Sequence, residues 1–378
     1  MTATSQHARQ KAQKRAAILV LQDSSFFLGS ALGPSKTIAG ELVFNTSMTG
    51  YQEALTDPSY AGQILTFCYP LIGNYAFSKE AFESKKIHAK ATVVKEACQK
   101  PFQSNSYKNT LNQFLHEQET PGIANVDTRS IVLKIRESGV LPSALQTFDE
   151  KEIRDFEDAK QAALQLCQKA KSFDYSTQNF AEQVSQKNNQ TFGNPDAKKH
   201  VVLVDCGAKQ SIPAQLAKHG AKTTSVHCNT TSREILALKP DAVVFSNGPG
   251  NPQTLQKTIQ TCKELLGKQP IFGVCLGNQI IARALGAKTF KLKFGHRGSN
   301  HPVIHQDSGR VFITAQNHGF AVKNLPKNVE PLFENCYDNT NEGIKCMEKQ
   351  TFSVQFHPEA NPGPYDTSFL FKEFLEML

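Results

Sequence analysis

The chain has 378 residues, 39% hydrophobic and 20% charged, the balance of a soluble globular protein long enough for two domains. No apolar run approaches the ~18 residues of a membrane span. The net charge of +8 comes from scattered basic residues with no aromatic-and-basic stripe, which points to a solvated surface or a face for an acidic partner, not to nucleic acid.

The start is basic, and its apolar part, 16–21, is short for a signal peptide. Residues 1–14 read as a flexible basic tail. AAILVLQD and SFFLGSALG then read as strands. Residues 41–74 alternate apolar and polar positions, punctuated by TDPS and GN turn signals. GIANVDTRSIVLKIRESG reads as a loop into an amphipathic helix, capped by Asp127 or Thr128, with Ile131, Ile135 and Val132 facing inward. Residues 15–150 are therefore expected to form a mixed, strand-rich β/α domain. A charged helical stretch and a Gln- and Asn-rich stretch poor in core residues follow, so 151–199 is expected to connect the domains.

From His200 short apolar strands alternate with helical stretches: HVVLVDC, SIPAQLAKHG, KTTSVH, SREILALK, DAVVFSN, PQTLQKTIQTCKELLG, PIFGVC, NQIIARALG. That alternation specifies βαβ units and a parallel sheet over 200–378, completed by strands near RVFITA, IKCME and TFSVQF and by a terminal amphipathic helix.

Ligands of such sheets bind outside the carboxyl ends of the strands. Three unusual loops fall there: SNGPGNP after DAVVF, CLG after PIFGV, and HPE after TFSVQF. Each alone has a plain reading, as a turn, a packed cysteine or surface; together at one rim they suggest chemistry. Gly273, Cys275 and Gly277 form G-x-C-x-G, the cysteine version of a nucleophile elbow. Cys275 would then open a helix, whose N–H groups and dipole favour thiolate, and the N–H of Leu276 would face a developing oxyanion. Strand parity places Ser353, Gln355 and His357 on one face. Glu359 falls on the side of His357, so Cys275, His357 and Glu359 make a nucleophile, a base and an orienter. His296, His301 and His318 compete for the base role, but lie in apparent loops with no acidic orienter close in sequence. The nine cysteines are odd in number and contain no CxxC pair, which argues for reduced thiols in a cytoplasmic protein and against a structural zinc site.

These loops, with FGHRGSNHPV, TAQNHGFAV and FHPEANPGPYD, resemble a class I, triad-type glutamine amidotransferase domain. The NTSMTGYQE and DPSY stretches resemble the small, glutamine-hydrolysing subunit of carbamoyl-phosphate synthetase. The resemblance runs from about residue 16 to the end. It implies an α/β fold: an N-terminal small-subunit domain of mixed β and α, joined to a flavodoxin-like amidotransferase domain. It implies that Cys275 attacks the carboxamide of glutamine, that His357 moves the proton and that Glu359 orients His357. It places glutamine against Ser47, Gly248, Gly250, Leu276, Gln279, Asn317, Gly319 and Phe320. It implies a large-subunit partner, as a heterodimer or a higher oligomer of heterodimers. That subunit would hold ATP and Mg, with no cofactor or metal on this chain, and would make carbamoyl phosphate for arginine and pyrimidine biosynthesis.

The absence of a G-x-x-x-x-G-K-[ST] loop fits that division of labour. Two departures stand out: Asn278 where the family usually has histidine, and SNSYKN where it often carries tryptophan. Other readings stay open here. One is an amidotransferase subunit of another synthetase; another is a free-standing cysteine hydrolase.

Overall fold

The computed structural model describes residues 15–102, 109–149 and 156–378. The basic tail, most of SNSYKN and the expected boundary at 150–151 lie outside them.

Strand Ala16–Leu21 explains its own unbroken apolar run. Ala17, Leu19 and Leu21 enter one core, and Ile18 and Val20 enter another beneath helix Phe156–Lys171. A strand buried on both faces has no polar side to show. Seven strands close a barrel in the order Ala16–Leu21, Phe26–Leu32, Gly122–Ala124, Ala91–Val93, Gln63–Phe67, Thr37–Asn45 and Leu141–Thr147. Closure leaves no free edge. Helix Thr128–Ser138 is capped by Asp127, which accepts from Ser130 N at 3.0 Å. Ile131 and Ile135 are buried, with Val132 packed partly against the same core.

The second unit is a ten-stranded sheet. Its centre is five parallel strands, in the order Ala221–His227, Lys199–Asp205, Ala242–Phe245, Ile271–Val274 and Thr351–Val354. Apolar cores cover both faces. An antiparallel extension holds Asn341–Cys346, Val311–Lys323, Lys288–His305 and Glu330–Asn335. The long hairpin Lys288–His305 with Val311–Lys323 corrects the loop reading of GHRGSNHP and QNHGF: His296, His301 and His318 sit on paired strands. Polar side chains hid the strands, because Arg297, Asn317 and His318 line the site, while Val303, Phe312 and Val322 of the same hairpin enter the cores.

The stretch read as a plain connection between domains has three separate attachments. Ala159, Ala163, Leu166 and Cys167 of helix Phe156–Lys171 pack on the barrel. Tyr175 and Phe180 are buried and stacked, with ring centroids 4.9 Å apart. Strand Gln190–Phe192 pairs antiparallel with Ala221–His227 at the sheet edge. Among the described residues no helix is long and apolar enough to cross a membrane.

Candidate active site

Strand Ile271–Val274 ends at Cys275, and helix Leu276–Ala284 begins one residue later. Cys275 has φ 54° and ψ −102°, a conformation that a side-chain-bearing residue rarely adopts. Two contacts hold it there: Cys275 N donates to Val354 O at 2.8 Å, and Cys275 O accepts from Gln279 N at 3.3 Å. The flanking glycines are demanded by space. A Cβ on Gly277 would lie 2.1 Å from Phe245 O, and one on Gly273 would lie 2.8 Å from the Gly277 carbonyl carbon. The helix is buried nearly all round; Ile280 and Ile281 are fully covered, each contributing about 2 kcal/mol. The packed helix thus anchors the strained turn.

The chain after Thr351–Val354 carries His357, whose N–H donates to Ala315 O at 2.9 Å. His357 Nδ1 lies 2.6 Å from Glu359 Oε1. His357 Nε2 has no hydrogen bond among the described residues. Burial alone would lower the imidazole, but the charges of Glu359 and Cys275 outweigh it and raise its pKa to about 10. Burial would raise Glu359, but Lys209 and His357 pull it down to about 2.

Lys209 is the residue that sequence reading passed over. It follows strand Lys199–Asp205, at the same rim. Its Nζ lies 2.8 Å from Glu359 Oε1 and 3.1 Å from Glu83 Oε1, and donates to Asn361 O at 3.2 Å. Burial opposes its charge, yet Glu359, Glu83 and Asp57 together hold it well above the lysine range. A lysine directly after DCGA at a strand's carboxyl end was the available signal.

The pair His357–Glu359 makes a pH prediction. A raised histidine stabilises the fold fully below about 6.5 and loses that contribution as pH rises through about 10. A depressed glutamate stabilises fully above about 4.5 and loses its contribution as pH falls through about 2. The melting-temperature gap between the parent chain and Glu359→Gln should therefore be widest between about pH 4.5 and 6.5. A gap that does not change with pH would contradict the charged pair.

A cavity of about 20 Å³ opens beside Cys275. Gly248, Gly250, Leu276, Gln279, Asn317, Gly319 and Phe320 all line it. Ser47 does not. It lines an adjacent cavity of about 50 Å³ with His357 and Lys209, and Asn317 borders both. Its hydroxyl lies 2.8 Å from Ser299 Oγ. Glu41, Tyr175 and Arg297 also line the first cavity. Tyr175 Oη accepts from Gly250 N at 2.9 Å, so the supposed connection supplies one wall. The barrel supplies another: Asp57 Oδ2 accepts from Asn317 Nδ2 at 3.0 Å, and Ser59 Oγ from Asn247 Nδ2 at 2.9 Å.

The competing histidines have other partners. His296 lies between Glu342 at 3.2 Å and Asp338 at 3.0 Å. Burial opposes its charge, but those carboxylates raise its pKa. His318 is driven well down by burial, and its Nδ1 bonds Phe320 O at 2.8 Å.

An elbow cysteine, a buried histidine–carboxylate pair and a glycine-lined cavity at the rim of a parallel sheet define a class I glutamine amidotransferase domain, and the profile described as glutamine amidotransferase class-I matches residues 202–377. The profile of the carbamoyl-phosphate synthase small chain, CPSase domain, matches residues 19–145. Carbamoyl phosphate synthase small chains are similar throughout. The Listeria innocua protein is 45% identical over 368 residues, covering 96% of both chains. That of Chlorobaculum tepidum is 45% identical over 376 residues, covering 97% of this chain and 98% of its own. That of Methanococcus maripaludis is 45% identical over 368 residues, covering 95% and 96%. The chain belongs to the carbamoyl phosphate synthase small-chain family.

Proposed function

We propose that this chain hydrolyses glutamine through a thioester on Cys275 and passes the ammonia to a large synthetase subunit. The observation that carries the reading is the buried His357–Glu359 contact of 2.6 Å behind the elbow cysteine. The sulfur gives its proton to His357 Nε2 and attacks the carboxamide carbon. Charge gathers on the carboxamide oxygen, faced by the N–H groups of Leu276 and Gly248. His357 then protonates the nitrogen, the C–N bond breaks, and ammonia leaves. Water gives a proton to His357 Nε2 and attacks the thioester; the C–S bond breaks, the proton returns to the sulfur, and glutamate and the thiol are released. Glu359 holds the ring in place throughout, and Lys209 holds Glu359.

Gly248, Gly250, Leu276, Gln279, Asn317, Gly319 and Phe320 bind the substrate directly. Ser47 reaches it only if the wall at Asn317 yields. This chain carries no cofactor; ATP and Mg belong to the large subunit, which makes carbamoyl phosphate for arginine and pyrimidine biosynthesis. A closed passage between the subunits suits the chemistry, since ammonia in neutral water is protonated and no longer a nucleophile. The exposed Met48 and Phe102 of the N-terminal unit are available to such a partner. The test is acid quenching of the chain during glutamine turnover, followed by mass measurement of the Cys275 peptide. A γ-glutamyl adduct is expected there. Turnover with no adduct on that peptide, or equal turnover of unrelated amides, would replace this reading with that of a general hydrolase.

A further inference from the structure

Gln355 follows strand Thr351–Val354, two residues before His357, and is fully buried. Its Oε1 accepts from Asn278 Nδ2 at 3.2 Å and from Gln279 Nε2 at 3.1 Å. Both donors are themselves fixed. Ser353 Oγ donates to Asn278 Oδ1 at 2.8 Å, and Gln279 Nε2 also donates to Phe320 O at 2.9 Å. Two donors on one amide oxygen decide its orientation, because the flipped amide would set an NH₂ group against two others. The remaining end, Gln355 Nε2, then points at Cys275 Sγ, 3.7 Å away. The sulfur also has Asn317 O within reach, at 3.7 Å, beside its interaction with His357. A carbonyl oxygen satisfies only S–H, whereas an amide N–H satisfies a charged sulfur.

We propose that Gln355 is a further catalytic residue, its amide N–H stabilising negative charge on Cys275 Sγ, and that Asn278 is a positioning residue acting through Gln355. This rests on the reading of Cys275 as the nucleophile. The charged sulfur arises twice in that sequence: when the thiol yields its proton to His357, and when the thioester is cleaved and sulfur departs. A donor fixed before either event has no reorganisation to undergo. Asn278 gives this chain its own way of holding the amide: its carbonyl is tied to Ser353, which leaves its NH₂ for Gln355.

The test is alkylation of the full-length chain by iodoacetamide across a range of pH, read by mass spectrometry on the Cys275 peptide, beside steady-state glutaminase kinetics. Gln355→Met should move the alkylation profile to higher pH by about one unit, the effect of losing one hydrogen bond to a charged group. Gln355→Glu keeps the shape, but sets a carboxylate against the sulfur and should move it further. Asn278→Leu should shift it in the same direction by less. For Gln355→Met, kcat should fall about tenfold while KM stays within about threefold. If Gln355→Met melts too early to assay, Gln355→Glu and Asn278→Leu decide the matter. A reactive Cys275 whose profile ignores all three substitutions overturns the proposal alone, as does a raised KM with kcat intact. A wild-type Cys275 that resists alkylation and forms no adduct with glutamine overturns both the proposal and the reading beneath it.

Discussion

Cys275→Ser should lower glutamine-dependent carbamoyl phosphate synthesis by about three orders of magnitude or more, while ammonia-dependent synthesis by the assembled enzyme stays within about twofold. The asymmetry follows from where the bond-making atoms lie. The serine hydroxyl is smaller and far less acidic than a thiol, so the attack fails although the substitution is nearly isosteric. Nothing else in the pocket needs to move: the helix behind Cys275 is held by its own buried face, and Gly273 and Gly277 keep their clearances. Ammonia supplied from solution bypasses the cavity altogether. The measurement is product formation by the reconstituted enzyme with each nitrogen donor. Equal loss with both donors would mean that Cys275 supports the architecture and not the attack.

Lys209→Met should cost about 3 kcal/mol or more of stability and most of the glutaminase activity. The methionine replaces the aliphatic stem, but removes the charge from between Glu83 and Glu359. Two buried carboxylates then face each other, with only the imidazole of His357 beside Glu359 to offset them. Both Glu359 and the imidazole that it orients lose their reference point. Thermal unfolding gives the stability change, and the decisive companion is Glu83→Gln with Lys209→Met. If the loss comes from carboxylate repulsion, removing one carboxylate should restore part of the melting temperature. Restored stability should not restore activity, because the Lys209–Glu359 contact is still absent. A single variant that melts like the parent would show the cluster to be neutral.

The parallel sheet was legible because its strands are short apolar runs separated by amphipathic helices. The rim was legible because glycines bracket Cys275 and because strand parity carries from Ser353 to His357. The barrel was harder: its strands are short and differ in pattern, Ala16–Leu21 being an unbroken apolar run, and nothing in them says that the first strand pairs with the last. Polar residues misled in both directions. The hairpin around His296 and His318 resembles loops in sequence, since its polar side chains face the site and one another. Tyr175 and Phe180 were lost in a Gln- and Asn-rich stretch, where two aromatic residues were too few to announce a wall. Lys209 had only its place after DCGA to mark it: its partners lie 126 and 150 positions away, at Glu83 and Glu359.

The contacts from Asp57 and Ser59 to Asn317 and Asn247 have a mechanical meaning. The cavity is a joint whose two halves belong to different bodies. Any rotation of the barrel against the sheet would stretch the bond from Asp57 to Asn317, the asparagine that borders the cavities of both Cys275 and Ser47. The shape of the cavity beside Cys275 therefore depends on residues of both units. Without its barrel the catalytic half would leave Asn317 and Asn247 short of the two acceptors that Asp57 and Ser59 provide.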